Sequence, residues 1–76
     1  MDGINFGAPD WPYQQVAAAL RTTIAGLPPQ TRLPAVRDLG QQFGVSEKTA
    51  RKAYQLLQDE GLVFVRDKRG FFTAGP

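Results

Sequence analysis

Between Val36 and Glu60, two runs of apolar residues at helical spacing meet at a single glycine, and that junction constrains the fold more than any other feature of the chain. Leu39 and Phe43 share one face of a short helix that also carries Val36 and Gln42. Gly44 follows where helices commonly end in a left-handed residue. Val45 comes next as an apolar plug for the corner, its burial contributing about 1.5–3 kcal/mol. Ser46 offers a side-chain oxygen to cap a further helix. That helix sets Ala50, Ala53, Tyr54 and Leu57 on one stripe and stops at Gly61. Two short helices joined by a glycine-tolerant turn make a helix-turn-helix unit, crossing at roughly 90–120°. The alternative is a plain helical hairpin with no ligand.

The flanks complete the pattern. Residues 1–11 are rich in Gly, Asp, Asn and Pro and read as a tail or arm, with Phe6 and Trp11 expected to pack onto the body. Pro12 suits a first helical turn. Tyr13, Val16, Ala17, Leu20, Ile24 and Leu27 recur at three- and four-residue steps, predicting an amphipathic helix of about fourteen residues. Gly26 and Pro28-Pro29 end it. Arg32-Leu33-Pro34 is a candidate edge strand. Leu62-Val63-Phe64-Val65 and Phe71-Phe72-Thr73 have strand composition around a turn at Asp67-Lys68-Arg69-Gly70. The fold class predicted is α+β: a winged helix-turn-helix over residues 12–76, with three helices, a short strand and a C-terminal β-hairpin wing.

With 76 residues, the chain makes one domain with little room for a deep catalytic pocket. It has no cysteine and no histidine, which removes disulfides, thiolate metal sites, the usual general base and the commonest metal ligand. No Ser-His, Cys-His or carboxylate-pair motif is present, and no glycine-rich phosphate loop follows a strand. Asp59-Glu60 reads as a solvated helix end. The expectation is therefore a protein that is not an enzyme, with no cofactor and no metal. No apolar run approaches the ~18 residues of a membrane span, and a chain without cysteine suits a cytoplasmic location. Net charge is +2, unevenly spread. Residues 1–31 hold one arginine against two aspartates, whereas residues 32–76 hold eight Lys/Arg against five Asp/Glu. The basic excess lies in the C-terminal half, which points to nucleic acid.

The third helix carries that excess on its outer side. At about 100° per residue, Lys48, Lys52 and Gln55 face away from the Ala50–Tyr54–Leu57 stripe, with Thr49 and Arg51 on the flanks. These are hydrogen-bonding and cationic groups in the N-terminal half, the part of a recognition helix that reaches base edges. Arg66, Lys68 and Arg69 cluster at the hairpin tip beside Gly70, where a wing meets the minor groove or its phosphates. Taken alone, each basic face could be a solvated surface; their combination is the specific signal. Phe64, Phe71 and Phe72 could stack on single-stranded bases, but neighbours on a strand face opposite ways and wing phenylalanines more often belong to a core.

These residues resemble the GntR family of regulators. The resemblance rests on Pro12-Tyr13-Gln14-Gln15-Val16 with Leu20, Arg21 and Ile24, and on Arg32-Leu33-Pro34-Ala35-Val36-Arg37-Asp38-Leu39, which is similar to an R-L-P-S-x-R-x-L-A segment. It continues through Phe43–Ala53, Leu56–Val63 and Arg69-Gly70-Phe71-Phe72. It implies that Arg37, Ser46, Thr49, Arg51, Arg69 and Gly70 contact DNA. Glu47 stands where the family often has arginine, and Lys48 where a small hydroxyl residue is common. Glu47 either accepts from a cytosine amino group or only favours the helix N-terminus.

The partner expected is double-stranded DNA, bound sequence-specifically in transcription regulation. The third helix would lie in the major groove, with two copies pairing as a homodimer on an inverted repeat, in the manner of a repressor. Such regulators usually continue into an effector-binding domain, which this chain is too short to include, so it is either an excised domain or a stand-alone member. The runner-up is a winged helix serving as a protein-interaction or accessory module in recombination or plasmid maintenance.

Overall fold

Pro12 opens helix α1 (Pro12–Ala25), where its missing N–H costs no hydrogen bond. The N–H of Trp11, just ahead of it, donates to Gln14 Oε1 at 3.0 Å, tying the chain's entry to the first turn. In this computed structural model, which describes residues 11–66 and 70–74, α1 is followed by α2 (Val36–Phe43), α3 (Glu47–Asp59), β1 (Val63–Val65) and β2 (Phe71–Thr73). The α1 stripe buries Val16, Ala17, Leu20 and Ile24. Leu39 and Phe43 of α2 and Ala50, Ala53, Tyr54 and Leu57 of α3 join them, with Leu33 and Val63 closing one core. α3 packs against both α1 and α2. Its buried alanines lack the bulk that would hold those helices away.

The strands pair antiparallel in the register Val63↔Thr73, Phe64↔Phe72 and Val65↔Phe71. A bridge from Arg32 to Phe72 adds the predicted Arg32–Pro34 segment to the outer edge of β2. Leu33 N–H donates to the Phe71 carbonyl at 2.8 Å, and Thr73 N–H to the Thr31 carbonyl at 2.9 Å. Thr73 is the buried polar residue of the core. Its hydroxyl donates to the Pro28 carbonyl at 2.7 Å and accepts from Thr31 N–H at 2.9 Å, so burial leaves it satisfied. Alternation splits the wing phenylalanines. Phe71 stacks on Tyr54, with ring centroids 4.1 Å apart, on the core side. Phe64 and Phe72 stack on each other at 5.8 Å on the opposite face, half-buried.

Two expectations need correction. Trp11 is not covered by packing onto the body: it is 69% exposed, because α1 begins directly after it and its ring stands outside the stripe. Glu60 is not simply solvated. Its carboxylate accepts from Arg21 Nε at 2.7 Å and Nη2 at 2.5 Å, joining the end of α3 to α1. That bidentate contact holds the Glu60 carboxyl below the usual glutamate range. Phe6 lies outside the described residues.

Candidate nucleic-acid interface

The corner that sets α3 is built by hydrogen bonds the sequence anticipates. Gly44 adopts φ 70°, ψ 33°, the left-handed conformation that a side chain resists. Its N–H donates to the Gln41 carbonyl at 3.4 Å, and Val45 N–H to the Gly40 carbonyl at 2.9 Å. These are the paired bonds of a Schellman cap, which satisfy two otherwise orphaned carbonyls. A Cβ on Gly40 would stand 2.8 Å from the Val45 carbonyl oxygen, so a residue without a side chain lets the chain turn this close to α2. Val45 is half-buried against the core, as a corner plug should be.

The next residue, Ser46, caps α3. Ser46 Oγ accepts Thr49 N–H at 3.1 Å, the capping bond, and its own hydroxyl donates to Thr49 Oγ1 at 3.1 Å. Thr49 Oγ1 is thereby used as an acceptor and keeps its proton to donate elsewhere. Glu47 occupies the first turn, exposed, where a carboxylate complements the helix dipole. Lys48, Arg51 and Lys52 are all exposed, while Ala50, Ala53 and Tyr54 beside them are fully buried. Lys52 is not free-swinging: its ammonium lies 4.4 Å from the centroid of the Tyr13 ring on α1. Arg37, in the first turn of α2, is exposed. The described residues thus carry cations on α2 and α3 on either side of the Gly44 corner.

The wing is described in part. Gly70 has φ 113°, a conformation that favours glycine, and its carbonyl accepts from Arg66 N–H at 3.3 Å, closing the base of the turn. Arg66 is exposed, its guanidinium 5.8 Å from the Phe64 ring and 5.9 Å from the Phe72 ring. Lys68 and Arg69 lie outside the described residues. Arg32 was not among the sequence candidates: it is exposed, pairs with Phe72, and its Nε stands 4.0 Å from where a Gly70 Cβ would be. The Arg32-Leu33-Pro34 segment signals a strand, but its pairing with Phe72 is set by residues forty positions away. Tyr13 and Trp11 were not among the sequence candidates either. Together with Pro12, Lys48, Thr49 and Lys52 they line an open cleft of about 500 Å³.

This arrangement of corner, capped helix and wing is matched by known proteins. The model of the gntR family of bacterial regulatory proteins matches residues 12–73. This chain belongs to the GntR family. It is 37% identical over 75 residues to the HTH-type transcriptional repressor NagR of Bacillus subtilis (strain 168), covering 96% of this chain and 31% of NagR. The matches span 14%, 31% and 40% of the length of three curated relatives, so this chain corresponds to only part of each. Among solved structures, YtrA from Sulfolobus acidocaldarius, a GntR-family transcription factor, superimposes with a TM-score of 0.88 at 32% identity. The match covers 96% of this chain and 79% of YtrA. The DNA-binding domain of AraR in complex with operator ORX1 superimposes with a TM-score of 0.77 at 29% identity, covering 97% and 99% of the two chains. The fold is the winged helix-turn-helix of GntR DNA-binding domains, and its relatives are transcriptional regulators rather than enzymes.

Proposed function

We propose that this GntR domain recognises one double-stranded DNA sequence and regulates transcription by occupying it as a repressor. α3 enters the major groove. Thr49, Arg51 and Lys48 divide base-edge and phosphate contacts, Lys52 and Arg37 hold the adjoining backbone, and Ser46 fixes the helix start. Glu47 sits at the groove entrance. Arg66, Lys68, Arg69 and Gly70 contact the duplex on its flank, with Arg32 close to Gly70. One such module buries roughly 600–1,000 Å² of protein surface, which favours two copies on an inverted repeat. The repressor role rests on the likeness to NagR, which is named as one, and operator binding on the likeness to AraR, solved with its operator.

The observation that carries this reading is the segregation along α3: Lys48, Arg51 and Lys52 reach solvent while Ala50, Ala53 and Tyr54 are wholly buried. A cationic face on a helix whose other face is locked in a core can dock without unfolding anything. The test is a binding selection on randomised duplexes, read at two salt concentrations. It is expected to enrich an inverted repeat whose affinity falls steeply with salt. Recovery of no common sequence, with retention insensitive to salt, would overturn the proposal.

A further inference from the structure

The cleft between the start of α1 and the first turns of α3 joins Lys48, Thr49 and Lys52, assigned above to the duplex, with Trp11, Pro12 and Tyr13, which have no part in the contacts assigned so far. Two of its walls are aromatic. Trp11 is 69% exposed, and the Tyr13 ring carries the Lys52 ammonium. A large exposed indole at the rim of a cationic surface offers contact area at little conformational cost, which is why tryptophan concentrates at binding hot spots. The floor supplies donors only. Lys48 and Lys52 are one helical turn apart, so both ammonium groups come from one face of α3. The Thr49 hydroxyl already accepts from Ser46 and retains its proton. Among the described residues, no carboxylate lines the cleft.

A shallower groove continues from it along α3. It shares Tyr13 and Lys52 and is lined further on by Asp59. The surface is thus receptive to an anion at the α1 start and repels one a few turns later. A polyanion would cross here rather than run the length of the helix.

From this, and resting on the DNA-binding reading above, we infer that the Trp11–Tyr13–Lys48–Lys52 cleft grips one sugar-phosphate segment of the bound duplex at the edge of the major groove. The phosphodiester oxygens accept from Lys48, Lys52 and Thr49, and the deoxyribose lies against the Trp11 indole. Tyr13 is a positioning residue: its ring holds Lys52 toward the cleft before DNA arrives. The first helix therefore becomes part of the interface and fixes the domain's register on the duplex, since phosphate contacts position while base contacts specify.

Trp11 is the sole tryptophan of the chain, so its fluorescence reports on the cleft directly. The chain is titrated with the tightest duplex recovered from a randomised pool, following Trp11 emission and, in parallel, the anisotropy of labelled DNA. The emission is expected to change with the same midpoint as the anisotropy. Trp11→Ala is expected to weaken duplex binding about tenfold without altering base preference or salt slope, as loss of an apolar hot-spot contact does. Trp11→Phe recovers most of that loss. Lys52→Ala lowers the salt slope by about 1. Replacing single phosphates by neutral methylphosphonates finds one position whose effect vanishes in Lys52→Ala. Circular dichroism confirms that each variant is folded.

Duplex binding that leaves Trp11 emission unmoved and is untouched by Trp11→Ala overturns the cleft while leaving the DNA-binding reading intact. A change in emission produced by inorganic phosphate or a deoxynucleoside monophosphate, but not by duplex, also overturns it, making the cleft a small-anion site. Absence of any salt-dependent duplex binding removes both readings together.

Discussion

Ser46 and Thr49 exchange two hydrogen bonds at the start of α3: the Thr49 N–H donates to Ser46 Oγ, and the Ser46 hydroxyl donates to Thr49 Oγ1, each at 3.1 Å. One residue thus ends the turn, caps the helix and orients a hydroxyl on the surface proposed to meet DNA. Ser46→Ala is expected to cost about 1 kcal/mol of stability and to weaken duplex binding as well. Ser46→Asp separates the two roles. It keeps the cap and suits the helix dipole, but sets a carboxylate against phosphate. Urea denaturation should therefore find Ser46→Asp near wild type, while duplex binding falls further than in Ser46→Ala.

Gly44 makes the corner possible at φ 70°. Ala at this position gains by restricting the unfolded chain, about 0.4–1 kcal/mol, but meets a left-handed conformation that costs roughly 1–2 kcal/mol. The strain is the larger effect. Gly44→Ala is expected to lower the thermal midpoint by several degrees, at about 4–8 °C per kcal/mol for a domain of this size. Gly44→Asn, which tolerates that conformation better, is expected to lose less. Calorimetry that ranks the two variants the other way would contradict the cap described for this turn.

The Tyr54 hydroxyl donates to the Pro34 carbonyl at 2.5 Å, pinning the segment before α2 to the middle of α3. Burial pushes its phenol above the ordinary value. Because the folded form holds the proton more tightly than the unfolded chain, stability is fully present below about pH 10, the ordinary tyrosine value, and declines as pH rises beyond it. Tyr54→Phe is expected to cost about 1 kcal/mol at neutral pH and to flatten that alkaline decline. Urea midpoints measured at pH 7 and pH 11 check both expectations.

The Arg21–Glu60 contact predicts the opposite pH sign. The guanidinium lowers the Glu60 carboxyl in the folded state, so the contribution is present above the ordinary glutamate range and is lost as pH falls through the depressed value. The pair is solvent-exposed, so its effect is small and salt-sensitive. Wild type is expected to exceed Glu60→Gln slightly in denaturant midpoint at neutral pH and low salt. The two should converge when either the pH is dropped below the carboxylate range or the salt is raised.

Much of this architecture was legible because it is local. The spacing of Leu39 and Phe43, a glycine able to adopt positive φ, and a serine three residues before Thr49 are short-range signals, and the α2–turn–α3 unit follows them. The α1 stripe is equally local, and the helix ends where the prolines required. What the sequence hid is contact between distant segments. Arg21 and Glu60 are 39 residues apart, and nothing in either neighbourhood announces the pair. Trp11 was expected to pack onto the body, but its place is fixed by Pro12 beginning a helix whose stripe excludes it. Arg32 joined the wing region through strand pairing with Phe72, and the cleft exists only once α1 lies beside α3.

Sequence-specific binding requires that the exposed cations of α3 read bases. The direct measurement compares Arg51→Ala with Arg66→Ala on the selected duplex and on its full set of single base-pair substitutions. Arg51→Ala is expected to lose discrimination at one base pair, by ~1–3 kcal/mol, leaving the other positions as selective as before. Arg66→Ala should weaken all duplexes alike and lower the salt slope by about 1. Equal weakening of every duplex by Arg51→Ala, with no position relaxed, would contradict a reading helix in the major groove.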